Sequence, residues 1–202
     1  EGEMAELLEG LRDQHPSVRL FRNSRNLGFV RSANLWLAAS KRDVVILNSD
    51  AAPTEGWLNE MLAVFGNQPQ IAALSPLSNR AGSCSVPNCG QAFPAALLPR
   101  ERLQLRELPE WTEMPTAHGF CLLLRRQALN QLGPLDVAYG RGYHEENDWC
   151  QRARRAGWRV GRANRAFVYH EGEVSFQGER AWLDARNGWR LVRRYQDFFA
   201  QA

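Results

Sequence analysis

The chain has 202 residues, 44% hydrophobic and 23% charged, which fits one packed domain and excludes a disordered segment. The net charge of +3 is too small to argue for a nucleic-acid partner, and no apolar run approaches the roughly 18 residues of a membrane span. The chain opens EGEMAELLEGL, acidic, without an apolar leader and without Met at position 1. It therefore reads as a segment of a longer protein, with targeting signals and other domains expected elsewhere.

In chain order, residues 3–13 carry Met4, Leu7, Leu8 and Leu11 at helical spacing. Ser17 to Phe21 alternates as a short strand, and Asn26 to Ser40 predicts a helix with Gly28 near its start. DVVILNSD is an apolar run of strand length that turns polar at Asn48. Thr54 to Phe65 predicts a helix capped by Thr54, and IAALSP from Ile71 a short buried strand. Strands alternating with helices argue for an α/β sheet with parallel pairs.

From Asn79 to Pro115 the pattern breaks. Pro87, Pro94, Pro99, Pro109 and Pro115 punctuate it and no period survives, as in a functional or mobile loop. Order resumes at HGFCLLLRR, a strand apolar on both faces and hence central. Glu145 to Ala156 predicts a helix stopped by Gly157. WRVGR and AFVYH predict two short strands, and Phe176 to Phe199 a long amphipathic helix carrying Trp182, Trp189, Tyr195 and Phe198.

The positive charge is local. Arg152, Arg154, Arg155, Arg159, Arg162 and Arg165 lie close together, and Lys41 is the only Lys. Arg is the better fork for phosphate, but a GC-rich genome gives the same bias, so both readings stand. Cys84, Cys89, Cys121 and Cys150 lack the His neighbours of a zinc set and read as free thiols of a reducing compartment, with a Cys84–Cys89 disulfide as the lesser alternative.

Three places carry residues suited to chemistry. Asp50 lies just past the strand VVILN, where open α/β sheets bind ligands and where a carboxylate suits a hard cation; Asn-Ser-Asp is equally good turn chemistry. In YHEENDWCQRARRAGW, Glu145, Glu146 and Asp148 fall at a helix start. There the macrodipole accounts for one or two acids, and Asp148 is spaced to pair with Arg152. A carboxylate among like charges is also a better proton acceptor. His170 ends the strand AFVYH, a frequent place for a metal ligand and also for a plain hydrogen-bonded His.

The order of motifs resembles a family-two glycosyltransferase with the GT-A fold. Asn26-Leu27-Gly28-Phe29, Asn34, Leu47-Asn48-Ser49-Asp50 and Gly56-Trp57-Leu58 are similar to its first half. His118-Gly119-Phe120-Cys121, Arg125-Arg126, Gly133, Leu135-Asp136, Gly142 to Asp148 and Ala156-Gly157-Trp158 are similar to its second half. Val168 to Gly172 and Ser175-Phe176 close the pattern, so the resemblance runs from about Ser17 to Phe176. Within the family it resembles bacterial enzymes that build rhamnan, O-antigen and other surface polysaccharides.

The resemblance implies a mostly parallel mixed sheet flanked by helices. It implies a partial catalytic domain over 1–176, with 79–115 as a variable acceptor-side loop and 177–202 as a C-terminal amphipathic helix. Asp50 is then the last residue of the Asp-x-Asp motif, Asn48 replaces its first Asp, and His170 completes the site for a divalent cation, Mn2+ or Mg2+. Glu146 aligns with the usual base of the Glu-Asp pair, and Asp148 is the second candidate. Asn26, Arg31, Asn34, Asn48 and Asp50 are implied to contact the nucleotide-sugar donor. Trp111, Tyr143, Glu145 and Trp149 are expected on the saccharide or lipid-linked acceptor. Family members begin with a nucleotide-gripping unit that this sequence lacks, so the first strands are expected to be missing and the segment alone to be inactive.

The implied activity is inverting sugar transfer in surface-polysaccharide synthesis, in the cytoplasm at the inner face of the membrane. The alternatives are a non-catalytic saccharide- or partner-binding module derived from a transferase, which Asn48 favours, and nucleotidyl transfer, which the Glu-Glu-Asn-Asp order fits poorly. The basic, aromatic C-terminal helix reads as a membrane-surface contact, a lid on the core, or a seat for another domain.

Overall fold

A computed structural model describes residues 2–86, 105–172 and 180–198. The middle of the proline-rich segment with Cys89, the Ser175-Phe176 motif and the last residues lie outside the described residues. The described chain holds six α-helices and six strands: α1 (Gly2–Gln14), α2 (Phe29–Ala39), β1 (Val44–Leu47), β2 (Ala51–Pro53), α3 (Trp57–Asn67), β3 (Ile71–Leu77), β4 (Trp111–Glu113), β5 (Cys121–Leu124), α4 (Arg126–Leu132), α5 (Glu145–Arg155), β6 (Arg159–His170) and α6 (Arg180–Arg194).

The strands form one sheet in the order β1-β5-β3-β6-β2, with β4 on β6. The sheet is mixed, as expected, but parallel pairs do not predominate. Among the described strand pairs β3 and β6 run parallel, while β1–β5, β3–β5, β2–β6 and β4–β6 are antiparallel. A parallel neighbour needs a crossover, usually a helix packed on the sheet. No described α-helix links β3 to β5, and β5 runs back along β3 in the opposite direction.

β5 is central because period-two alternation gives it two apolar faces. Cys121 and Leu123 join Met61, Val64 and Phe65 of α3 on one side. Leu122 and Leu124 join Val30 and Leu37 of α2 and Trp149, Cys150 and Ala153 of α5 on the other. Each wholly buried Leu contributes roughly 1.5–3 kcal/mol by leaving water. Cys84, Cys121 and Cys150 are buried free thiols.

Three local expectations change. Ser17 lies in a turn and Val18 to Phe21 joins no described strand; Phe21 sits edge-to-face on Trp36 at 4.3 Å instead. Helix α3 starts at Trp57 after Gly56 in the left-handed region, and Thr54 does not cap it: its hydroxyl donates to the Phe167 carbonyl at 2.7 Å. WRVGR and AFVYH are one strand, β6, whose pairing with β3 jumps from Pro76–Ala163 to Leu77–Phe167. The irregularity turns Asn164 inward, where its amide donates to the Pro109 carbonyl and to Thr112 Oγ1. The C-terminal helix α6 packs on the body through Leu183, Leu191 and Asn187, all buried. Among the described residues no helix is long and apolar enough to cross a membrane.

Candidate functional site

β1 ends at Leu47, and the Asn48 N–H closes on the Phe120 carbonyl at 2.8 Å. A turn follows, in which the Ala51 N–H reaches the Asn48 carbonyl, and β2 leaves antiparallel to the end of β6 with Ala51 opposite His170. The register sets Asp50 beside His170: Oδ2 lies 3.5 Å from Nε2. The imidazole is held from behind. Its Nδ1 is 2.7 Å from the Arg80 carbonyl, which can only accept, so Nδ1 carries a proton and Nε2 is turned toward Asp50. The His170 backbone exchanges hydrogen bonds with the Asn79 side chain, and Phe120 stacks on the ring at 4.9 Å.

A carboxylate oxygen and an imidazole lone pair facing each other repel unless a proton or cation lies between them. This O/N donor pair, with a second-shell carbonyl fixing the imidazole tautomer, fits a divalent cation that draws its other ligands from elsewhere. Among the described residues no cluster of three or more His, Cys, Asp or Glu gathers around a metal position.

The second half of the site is the start of α5. Tyr143 and His144 are consecutive non-glycine residues in the left-handed region, a strain of about 1–3 kcal/mol each. α6 holds them there. Asn187 Nδ2 donates to the carbonyls of Tyr139, Gly142 and Tyr143 at 2.9, 2.8 and 3.1 Å. His144 Nε2 meets Asp184 at 2.9 Å, and its Nδ1 meets the Asn147 amide at 3.1 Å. Gly188 lies against the His144 ring, where an added Cβ would come to 3.4 Å from Nε2.

Behind this strained pair the three acids separate. Glu146 is half-buried, with its carboxyl lying over Gly119. Burial raises its proton affinity, while the backbone N–H groups of Glu146, Asn147 and Gly119 and the nearby His144 oppose the rise. Glu145 is buried, and one carboxyl oxygen has no hydrogen-bond partner among the described residues. Burial first, and the Glu146 charge second, push its proton affinity well up. Residues 118–120 join the two halves: Gly119 touches Glu146 and Phe120 stacks on His170. His118 also borders this segment, pushed down to about 4 by burial and by His170, so its ring is neutral near neutral pH.

Several expected site residues are employed elsewhere. Asp148, the second candidate base, is wholly buried and receives Arg152 at 3.0 Å, Arg194 at 2.8 Å and the hydroxyls of Tyr139 and Tyr195. With its lone pairs occupied, it locks the helix rather than taking a substrate proton. Trp149 is wholly buried in the core and donates to the Gly133 carbonyl, so it offers no face to an acceptor. Trp111 carries the Arg159 guanidinium on its ring and pairs with Ala163. Along β6 that is roughly 20 Å from His170 at about 3.3 Å per residue. Asn34 spends its amide on the backbone N–H and carbonyl of Leu135, which removes it from the donor set. Asn26 turns onto the Gly28 N–H, Arg31 is exposed on α2, and Asn48 holds the turn before Asp50.

Asn79, Arg80 and Asn187 organise the site without having been read from the sequence. Only Asn187 left a signal: it is a lone amide on the stripe Leu183–Asn187–Leu191 of an amphipathic helix. Arg80 acts through its carbonyl, which no side-chain pattern reveals.

Sheet order, flanking helices and the carboxylate–imidazole pair at the strand ends define a GT-A-type nucleotide-sugar transferase fold. GalNAc-T7 solved with UDP, GalNAc and Mn2+ superposes with a TM-score of 0.66 at 16% identity, covering 93% of this chain and 38% of that one. A Pyrobaculum calidifontis mannosyltransferase solved with GDP-Man and Mn2+ gives 0.60 at 19% identity, covering 88% of this chain and 46% of that one. The chain belongs to the family described as glycosyltransferase like family 2, whose profile matches residues 1–189. An N-acetylglucosaminyl-diphospho-decaprenol L-rhamnosyltransferase of Mycobacterium tuberculosis is 27% identical, covering 72% of this chain and 56% of its own length. A low-salt glycan biosynthesis hexosyltransferase of Haloferax volcanii is 25% identical, covering 86% of this chain and 59% of its own. The chain thus spans a little over half the length of these relatives.

Proposed function

We propose that the chain is the catalytic part of a metal-dependent, inverting glycosyltransferase. It would pass a sugar from a nucleotide-sugar donor to a saccharide or lipid-linked acceptor in surface-polysaccharide synthesis, on the cytoplasmic face of the membrane. The observation that carries the reading is the pairing of Asp50 with His170 on one side of residues 118–120 and Glu146 on the other. Family membership supports it, as do a relative acting on a decaprenol-linked substrate and fold neighbours solved with UDP or GDP-Man and Mn2+.

Asp50 Oδ2 and His170 Nε2 would hold the cation, whose chemistry when bound is to neutralise charge on the departing diphosphate. Glu146 takes the proton from an acceptor hydroxyl. The hydroxyl oxygen forms its bond to the anomeric carbon from the face opposite the diphosphate, as the bond to the diphosphate oxygen breaks. The raised proton affinity of Glu146 brings it closer to neutral pH, where a base is most effective. Asn26, Arg31 and Asn48 are assigned to the donor side, and Tyr143 to the acceptor side.

The test is Glu146→Gln in the full-length protein with a panel of nucleotide sugars and Mn2+. Transfer should fall by at least about a thousandfold while calorimetric binding of the nucleotide sugar persists. Wild-type turnover in the variant removes Glu146 as base. Saccharide binding that needs no metal, with no transfer by the wild type, supports the binding-module reading instead.

A further inference from the structure

Two tryptophans stand out on the surface of α6. Trp182 and Trp189 are 61% and 71% exposed, whereas Leu183, Asn187 and Leu191 on the same helix are buried. At about 100° per residue, Trp182, Arg186, Trp189 and Arg193 fall within roughly 60° of one another, opposite the buried stripe. The Arg186 guanidinium lies over the Trp182 ring, 4.7 Å from its centre, and its Nη2 also donates back to the Tyr139 carbonyl at 3.4 Å. No carboxylate shares this outward face between Trp182 and Arg193. The one acid of α6, Asp184, lies on the side toward the body and is occupied by His144.

We propose that this face of α6 docks on an anionic phospholipid surface. Its chemistry favours that occupant over another protein. Indole rings are wide, apolar and carry one polar N–H, and they settle at the level of lipid headgroups; arginines on the same stripe meet lipid phosphates. A protein partner would have to cover four cationic or aromatic side chains with no acid among them to register against. The helix is also placed to use such a contact. Its inner face grips Gly142, Tyr143 and His144, the segment leading into Glu145 and Glu146. Docking the outer face would therefore set the proposed base close to the layer from which the headgroup of a lipid-linked acceptor emerges. This deepens the acceptor half of the reading above and rests on it only for that last step.

Vesicle co-sedimentation of the full-length protein tests the proposal without any sugar transfer, so the docking and the enzymatic reading can fail separately. The wild type should partition onto phosphatidylglycerol–phosphatidylcholine vesicles and much less onto phosphatidylcholine alone, with binding weakened by salt. The double variant Trp182→Ala/Trp189→Ala should lose roughly tenfold or more of that partition, and Arg193→Glu several-fold. All three side chains point to solvent, so thermal melting should match the wild type and a loss of binding cannot be charged to unfolding. Transfer to a water-soluble acceptor should persist in the variants, while transfer to a vesicle-borne lipid-linked acceptor should fall. Undiminished vesicle binding by the double Trp variant overturns the proposal, as does equal binding to neutral and anionic vesicles. A concentration-dependent dimer that the Trp substitutions abolish, with no vesicle binding by the wild type, overturns it in favour of a second copy.

Discussion

Arg194 of α6 reaches Asp148 of α5 at 2.8 Å across 46 residues of sequence, and Arg152 closes on the same carboxylate from its other oxygen. The acid that sequence alone offers as a second base is the anchor between two helices. Asp148→Asn leaves two guanidinium groups against a neutral amide and should cost about 2–4 kcal/mol of stability. Arg194→Ala, which keeps Arg152 and the Tyr139 and Tyr195 hydroxyls on Asp148, should cost about 1–2 kcal/mol. Urea unfolding of the full protein measures both. Loss of transfer in Asp148→Asn at unchanged stability would restore Asp148 as a base.

Asn187 is a positioning residue. The two N–H groups of its amide are shared among three carbonyls around a pair of left-handed residues, and replacing it with Ala removes that donor from inside the protein. We expect about 1–3 kcal/mol of destabilisation and a fall in kcat with little change in KM for the nucleotide sugar. A purely structural role would move stability alone.

Removing the imidazole from the proposed cation pair should be visible in metal dependence. His170→Ala should raise the Mn2+ concentration needed for nucleotide-sugar binding by more than about tenfold. Chelation of the wild type should reproduce the loss, and added Mn2+ should reverse it. Metal-independent binding in both proteins would separate His170 from any cation.

Burial and the Glu146 charge raise the proton affinity of Glu145 well above its ordinary value of 4.5. The folded protein therefore binds more protons here than the unfolded chain does. The resulting contribution favours folding at acid pH and is lost as pH rises from the ordinary value through the raised one. Glu145→Gln removes that loss. The difference in melting temperature between variant and wild type should grow in favour of the variant from about pH 4 to about pH 8. A difference that is flat with pH would show Glu145 to be ionised at no cost.

The sequence by itself determined what local chemistry decides. The period-two faces of β5, the stop of α5 before Gly157 and the pairing of Asp148 with Arg152 one helical turn apart all follow from neighbours in the chain. The ordered motifs that led to Asp50, Glu146 and His170 were likewise legible. Only the tertiary structure decided which polar groups were spent on the scaffold. Asn34 closes on Leu135 across 101 residues and Arg194 on Asp148 across 46, and no local pattern records such partners. Asp148 and Glu146 sit two positions apart on a helix, so they point to different sides. One meets two arginines in the core and the other lies over Gly119, a division set by what packs against each face.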